Sequence, residues 1–250
     1  MKKRTPLLSG LLLSQFALSL HADPATHEGN NKPAFQGFHI GANIGYGQGS
    51  GHFKDRSIEK DPLGNIVATS NDKYKLGFDG VDGGLGLGYM HRMDDFALGF
   101  AFDANWSNAS GKRVSTYKDA VGNILSNTDR VRLKNSLQLY AKLGYVIREK
   151  VMPFLGFGWD NSEWQHNIQV RDDDTGYYAH QKKHYRLNSG LWKLGFDVLA
   201  AKNIIVGFEY TGTMGGSKSY AVPSQTAGGS STTNFKPQYN KFALTTKFIF

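Results

Sequence analysis

Eight ionisable residues lie on the polar side of strongly alternating segments: Asp82, Asp103, Lys142, Lys193, Asp197, Glu209, Lys241 and Lys247. Mixed signs on one side permit ion pairs, and charges withdrawn from water persist only when paired and hydrogen-bonded. They read as a packed ionic plug rather than a charged, water-filled path. Ser107, next to Trp106, and the pair His184 and Ser189 supply the hydroxyl and imidazole types of nucleophilic chemistry, but no recognised motif joins them. The run Arg171-Asp172-Asp173-Asp174-Thr175-Gly176 offers hard oxygen ligands for calcium yet lacks the full loop spacing and a bidentate Glu, so it reads as a solvated turn. His180, His184, His52 and His166 raise a metal or haem site. His180 and His184 fall in an expected loop, and on a strand they would stand about 13 Å apart, too far to share a metal. Catalytic residues, metal and cofactor are therefore each assigned as none.

These charges must be positioned by strands. Phe38, Ile40, Ala42, Ile44 and Tyr46 alternate with His39, Gly41, Asn43 and Gly45. Successive strand side chains point to opposite faces, so this is one apolar and one small or polar face. The pattern recurs at 81–89, 96–106, 136–145, 154–159, 192–198, 204–211 and 241–250, giving eight segments. His91-Arg92-Met93-Asp94-Asp95, Arg148-Glu149-Lys150 and Ala200-Ala201-Lys202-Asn203 read as tight turns. The intervening connections are polar and much longer than the links usual in compact domains.

A period-two apolar face has to be covered. In a soluble sandwich the other face would be rich in Lys, Glu and Thr. Here it is mostly Gly, Ala, Asn and Gln with a few charges, a filling for a narrow barrel. Closing the sheet pairs every backbone group in lipid, and eight strands enclose just enough room for side chains. The expectation is an all-β, closed eight-stranded antiparallel transmembrane barrel, with short periplasmic turns and four long extracellular loops. Tyr46, Tyr89, Trp106, Tyr145, Trp159, Trp192 and Tyr210 stand near strand ends on the apolar face, where interfacial aromatic girdles belong.

The 250 residues include 30 Gly and no Cys, with a net charge of +8. Mean hydropathy is −0.42. The missing Cys excludes a disulfide scaffold, a Cys-ligated zinc site and a lipid-anchored N-terminus. Lys2, Lys3 and Arg4, then the apolar stretch from Leu7 to Leu20, then Ala22, form the series of a secretory signal peptide over 1–22. Residues 23–34 read as a flexible periplasmic N-terminus, and 35–250 as the barrel domain.

The opening strand, Phe35-Gln36-Gly37-Phe38-His39-Ile40-Gly41-Ala42-Asn43-Ile44-Gly45-Tyr46-Gly47, resembles the first strand of small porin-family outer-membrane proteins. These include the opacity-type surface antigens and the outer-membrane immunogenic proteins. They share an aromatic-x-Gly-Phe-aromatic start followed by Gly-x-x-x-Gly-aromatic, and His39 replaces the usual aromatic. The closing Lys247-Phe248-Ile249-Phe250 looks like the signal read by the outer-membrane assembly machinery, carried by Phe248 and Phe250. The resemblance covers the mature chain as a pattern and its two ends as motifs. It implies a monomer in a Gram-negative outer membrane, delivered by periplasmic chaperones, with no catalytic residues.

Asp61-Pro62-Leu63-Gly64-Asn65-Ile66 and Asp119-Ala120-Val121-Gly122-Asn123-Ile124 share one turn solution. Flanking β-branched and aromatic residues predict hairpins that extend these strands above the membrane. Between Ser107 and Arg132 the basic residues Lys112, Arg113, Lys118, Arg130 and Arg132 outnumber Asp119 and Asp129. Such a surface draws phosphorylated lipid headgroups, including lipopolysaccharide; nucleic acid is a poor partner for an exported chain with no recognised binding motif. The leading functional expectation is a non-enzymatic structural or surface-interaction protein whose loops meet lipopolysaccharide, host molecules or neighbouring proteins. The alternatives are a narrow channel, opposed by Tyr140, Phe154, Ile205 and Ile249 on the polar side, and a lipid A-modifying enzyme.

Overall fold

The computed structural model describes residues 33–60, 63–118, 124–172, 178–222 and 230–250. Ten strands run β1 (Gly37–Lys60), β2 (Ile66–Met93), β3 (Phe96–Ser107), β4 (Ser110–Lys118), β5 (Ile124–Tyr145), β6 (Val151–Asp172), β7 (Tyr178–Ala201), β8 (Ile204–Met214), β9 (Lys218–Val222) and β10 (Ser230–Ile249). All ladders are antiparallel. β1 pairs with β2 on one side and β10 on the other, so the sheet closes as β1-β2-β3-β5-β6-β7-β8-β10. The ring has eight members because β3 and β4 are two pieces of one ribbon along β5, and β8 and β9 are two pieces along β10. At the first break Asn108 replaces ladder pairing: Val81 N donates to its side-chain Oδ1 at 2.8 Å, and its own N donates to Val81 O at 3.1 Å.

One end carries the tight turns at Asp94-Asp95, Arg148-Glu149-Lys150 and Lys202-Asn203. Positive φ at Asp94, Arg148 and Glu149 fits those sharp reversals. At this end Ala34, Phe35, Met90, Ala97, Val146, Met152, Ile205 and Ile249 close the interior. Ala34 belongs to the segment expected to be flexible, yet it is packed into this plug. Residues 1–32, with the expected signal peptide, lie outside the described residues.

The strands are far longer than the alternating segments. β2 alone has 28 residues, whereas crossing a bilayer takes about 9–11 tilted strand residues. Most of the expected long loops are therefore strand. His180 and His184, placed in a loop by sequence, sit on β7. Gly64 turns at the first hairpin tip with φ +88; residues 61, 62, 119–123 and 173–177, which hold the rest of the expected turns, lie outside the described residues.

The ring divides in this extension. β2 meets β4 at the single pair Asp79–Ser110, and among the described residues no ladder joins β7 to β9. Two ribbons remain, β4-β5-β6-β7 and β9-β10-β1-β2. They face one another across Phe53, Leu76, Phe78, Val131, Leu133, Trp164, Leu187, Phe235 and Tyr239. Ring contacts cross between them: Phe78 to Trp164 at 5.1 Å, Trp164 to Phe235 at 5.4 Å and Phe53 to His166 at 5.3 Å. The molecule is a closed barrel carrying a two-sheet head.

Candidate functional site: the lumen, the outer belt and the head

In the barrel the apolar side chains point outward. Phe38 and Phe157 are each 65% exposed, and Leu85, Leu87, Phe100, Leu139, Leu143 and Leu194 are exposed with them. Such a continuous belt is far from an ordinary soluble surface. Two rows of rings frame it. Tyr46, Trp106, Trp159, Trp192 and Tyr210 ride at the head side, and Tyr89 and Tyr145 at the turn side. The ladders set these levels through Tyr46–Phe242, Tyr210–Phe242, Trp192–Phe157, Tyr89–Phe100 and Tyr145–Phe96. Tyr46 donates its hydroxyl to Asp79 just above the belt. Trp192 is half-buried because it lies over Gly212, where a Cβ would enter its indole ring. Phe248 and Phe250 both point outward, with ring centroids 5.1 Å apart.

The eight ionisable residues face the lumen and assemble into two groups. Lys142 Nζ lies 2.6 Å from Asp197 Oδ2, and Lys247 Nζ lies 2.9 Å from Asp197 Oδ1 and 3.0 Å from Glu209 Oε1. Lys193 joins this group through Glu209 at 3.5 Å and reaches Asp103 at 2.6 Å. Separately, Lys241 Nζ donates to Asp82 at 2.5 Å and to Asn43 and Asn105 at 3.0 Å each. Four lysines meet four carboxylates, so the set is neutral as well as paired. Sequence alone missed several parts of it. Lys142 stands 3.5 Å from the Phe154 ring centroid, and Lys193 lies 4.2 Å from that of Tyr140. Small residues make the room: a Cβ at Gly207 would strike Asp197 and fall 2.7 Å from Thr245 Oγ1.

Two small cavities lie among these side chains. A cavity of about 20 Å³ is lined by His39, Asn43, Asp103, Tyr140, Glu209, Thr245 and Lys247, and one of about 10 Å³ lies against the turn-end plug. Neither has room for more than about one water. Tyr140, Phe154, Ile205 and Ile249 are buried inward. Along its axis the interior is therefore apolar, then ionic, then aromatic.

In the head the polarity inverts. β1 sends Gln48, His52, Lys54 and Arg56 outward on the face that carried Ile44 and Tyr46, while Phe53 turns inward. Lys54 lies opposite Lys73, and His52 opposite Lys75 and Lys236. The basic stretch from 107 to 132 splits by face. Lys112, Arg130 and Arg132 point out, but Arg113 turns in and covers the Tyr74 ring at 4.2 Å. Arg113 is thus removed from the expected headgroup surface by packing. Lys118 carries no described side chain.

A buried polar chain runs beneath the head's rings. Tyr74 donates to Asp129 at 3.0 Å, His166 Nε2 lies 3.6 Å from Asp129 Oδ1, and His166 Nδ1 meets the Tyr220 hydroxyl. Burial raises the Asp55 carboxyl, offset in part by the Thr233 hydroxyl donating to it at 2.7 Å. Glu163, on the outside, is held below the usual carboxylate range, first by the Asn135 amide at 2.9 Å and then by His184 and Arg186.

The candidate hydroxyls stand apart from the histidines. Ser107 Oγ accepts from Ala109 N at 3.1 Å. His184 Nδ1 is 3.5 Å from Glu163 on the outer face, and Ser189 occupies the opposite face of the same strand. His180 and His184 share the outer face, His166 points in, and among the described residues no three His, Asp or Glu side chains gather as a metal site.

No protein-family model matches the chain, and no curated protein matches it. Solved structures similar to it are outer-membrane β-barrels. The outer membrane protein OprG from Pseudomonas aeruginosa matches over 87% of this chain and 99% of its own at 14% identity and a TM-score of 0.48. Neisserial surface protein A matches over 86% and 98% at 12% identity and 0.37. Ail, the attachment invasion locus protein of Yersinia pestis, matches over 83% and 99% at 13% identity and 0.32. At those values the functional reading rests on the chain's own geometry.

Proposed function

We propose that this protein is a non-enzymatic outer-membrane protein whose plugged barrel anchors an extracellular two-sheet head, the head being its interaction module. One observation carries the reading: along the same unbroken strands, the outward face changes from apolar to polar and basic above Tyr46, while the inward face changes from ionic to aromatic. A soluble protein has no use for the lower arrangement, and a bilayer none for the upper. Phe38 to Tyr46 spans eight residue steps, about 26 Å along the strand and about 20 Å along the axis at a tilt of about 40°. That height suits the apolar band of an outer membrane. The outward cations Lys54, Arg56, Lys73, Lys75 and Lys236 give the head a basic outer face that attracts phosphorylated headgroups and sugars, which supports lipopolysaccharide as the lateral partner.

Planar-bilayer recording of the refolded, purified protein tests the plugged lumen. Baseline current without stable openings is expected. Stable, large, single-step openings by the intact barrel would overturn the anchoring role in favour of a pore.

A further inference from the structure

The head has two seams, and they differ. At one, β2 and β4 still meet at Asp79–Ser110, and Arg113 covers Tyr74 across the junction. At the other, β8 holds β7 only from Gly190 to Ala201. Gly215 and Gly216, with φ +90 and +50, then turn the chain; Gly216 still packs against Asn188 and Ser189, and beyond it the chain resumes as β9 on β10, leaving the β7 edge above Asn188 without a ladder among the described residues. Residues Tyr178–Ser189 of β7 are thus paired on their β6 side alone among the described residues. Alternate N–H and C=O groups of that stretch point into the seam, and an exposed edge of this kind is a template for an added strand.

The seam has a definite chemistry. On its inner side Tyr185 and Tyr220 stack at 5.1 Å, and the buried Gln181 Oε1 has no hydrogen-bond partner. On its outer side His180 and Lys182 are exposed, and their β6 neighbours are Gln169 and Asn167 rather than acids. We propose that this edge binds an extended, acidic peptide segment as an added strand on β7. Its backbone continues the ladder, its outward carboxylates meet Lys182 and His180, and an inward hydroxyl donates to Gln181 Oε1. A second copy of this chain fits less well, because its own β7 edge would set the same cations against one another.

The proposal rests on the head lying in water, and the test separates the two. The probe is a ten-residue peptide of alternating Glu and Thr, with a Lys and Thr repeat as control, added to the purified protein in detergent. Hydrogen exchange is followed over 178–189. The free protein should exchange alternate amides there faster than β5 does, and the Glu peptide should slow them about tenfold while the Lys peptide does not. The exposed variant His180→Glu/Lys182→Glu should keep heat-modifiable migration, lose the Glu peptide by about tenfold and take up the Lys peptide. Three results overturn the proposal: amides over 178–189 as slow as those of β5 without peptide, no protection by the Glu peptide in a heat-modifiable barrel, or protection that rises with protein concentration alone, which assigns the edge to a second copy. Protection by the peptide in detergent but not on intact vesicles would leave the edge standing and remove the surface location instead.

Discussion

Lys193 Nζ on β7 lies 2.6 Å from Asp103 Oδ2 on β3, three ring positions away. One side chain therefore crosses the lumen and ties opposite walls. With Glu209 it also joins the group centred on Asp197, so the barrel's interior is fastened by charge where most proteins use apolar packing.

Removing that cation should be costly. Lys193→Met leaves Asp103 and Glu209 facing each other without their shared lysine, and breaking a buried pair from one side costs about 3–5 kcal/mol. The urea midpoint of heat-modifiable migration should fall accordingly. Glu149→Gln, at the exposed end of the ion pair with Arg92, should change it by less than about 1 kcal/mol.

The glycines should sort by what surrounds them. Gly207→Val drives a side chain into Asp197 and Thr245, whereas the nearest atom to a Cβ at Gly83 is Asn43 O at 3.5 Å, an ordinary contact. Gly207→Val should fail to give the compact gel form on refolding, and Gly83→Ala should fold like the parent.

The head should loosen separately from the barrel. Trp164 is fully buried among Phe78, Leu133 and Phe235, and truncating a core aromatic costs about 3–5 kcal/mol. Trp164→Ala should expose β5 and β6 of the head to limited proteolysis while leaving a protected, heat-modifiable barrel fragment. Proteolysis unchanged from the parent would show that the aromatic layer does not hold the two ribbons together.

Acid should loosen the outer face near Glu163. Its folded value is depressed, so the stabilisation it supplies is present above the usual carboxylate range and is lost as pH falls through that depressed value. Hydrogen exchange around Asn135, Glu163 and Arg186 should therefore quicken on acidification below the usual carboxylate range, after correction for intrinsic rates, and Glu163→Gln should flatten that dependence.

The barrel was legible because alternation with an apolar phase is a strong signal, and the charges opposite that phase had nowhere to go but inward. The head was harder to read. Its core residues also recur at period two, but on the other parity: Phe53 against Ile44 and Tyr46 on β1, and Phe235 and Tyr239 against Phe242 and Leu244 on β10. Between the two phases lie glycines and polar residues, which look like loop. A parity flip without an intervening turn was the signal available in the sequence. Pairings such as Lys193 with Asp103 could not be read at all, since they depend on how strands 90 residues apart in sequence meet across the lumen.

The inversion itself can be measured directly. Single cysteines introduced at each non-glycine position from 38 to 56 into this cysteine-free chain, spin-labelled and reconstituted in lipid, report access to oxygen and to a water-soluble nickel complex. Oxygen access is expected at 38, 40, 42 and 44, nickel access at 48, 52, 54 and 56, and low access to both at 43 and 53. Nickel access at 40, 42 and 44, or a pattern without the change of partner above Tyr46, would contradict the inversion.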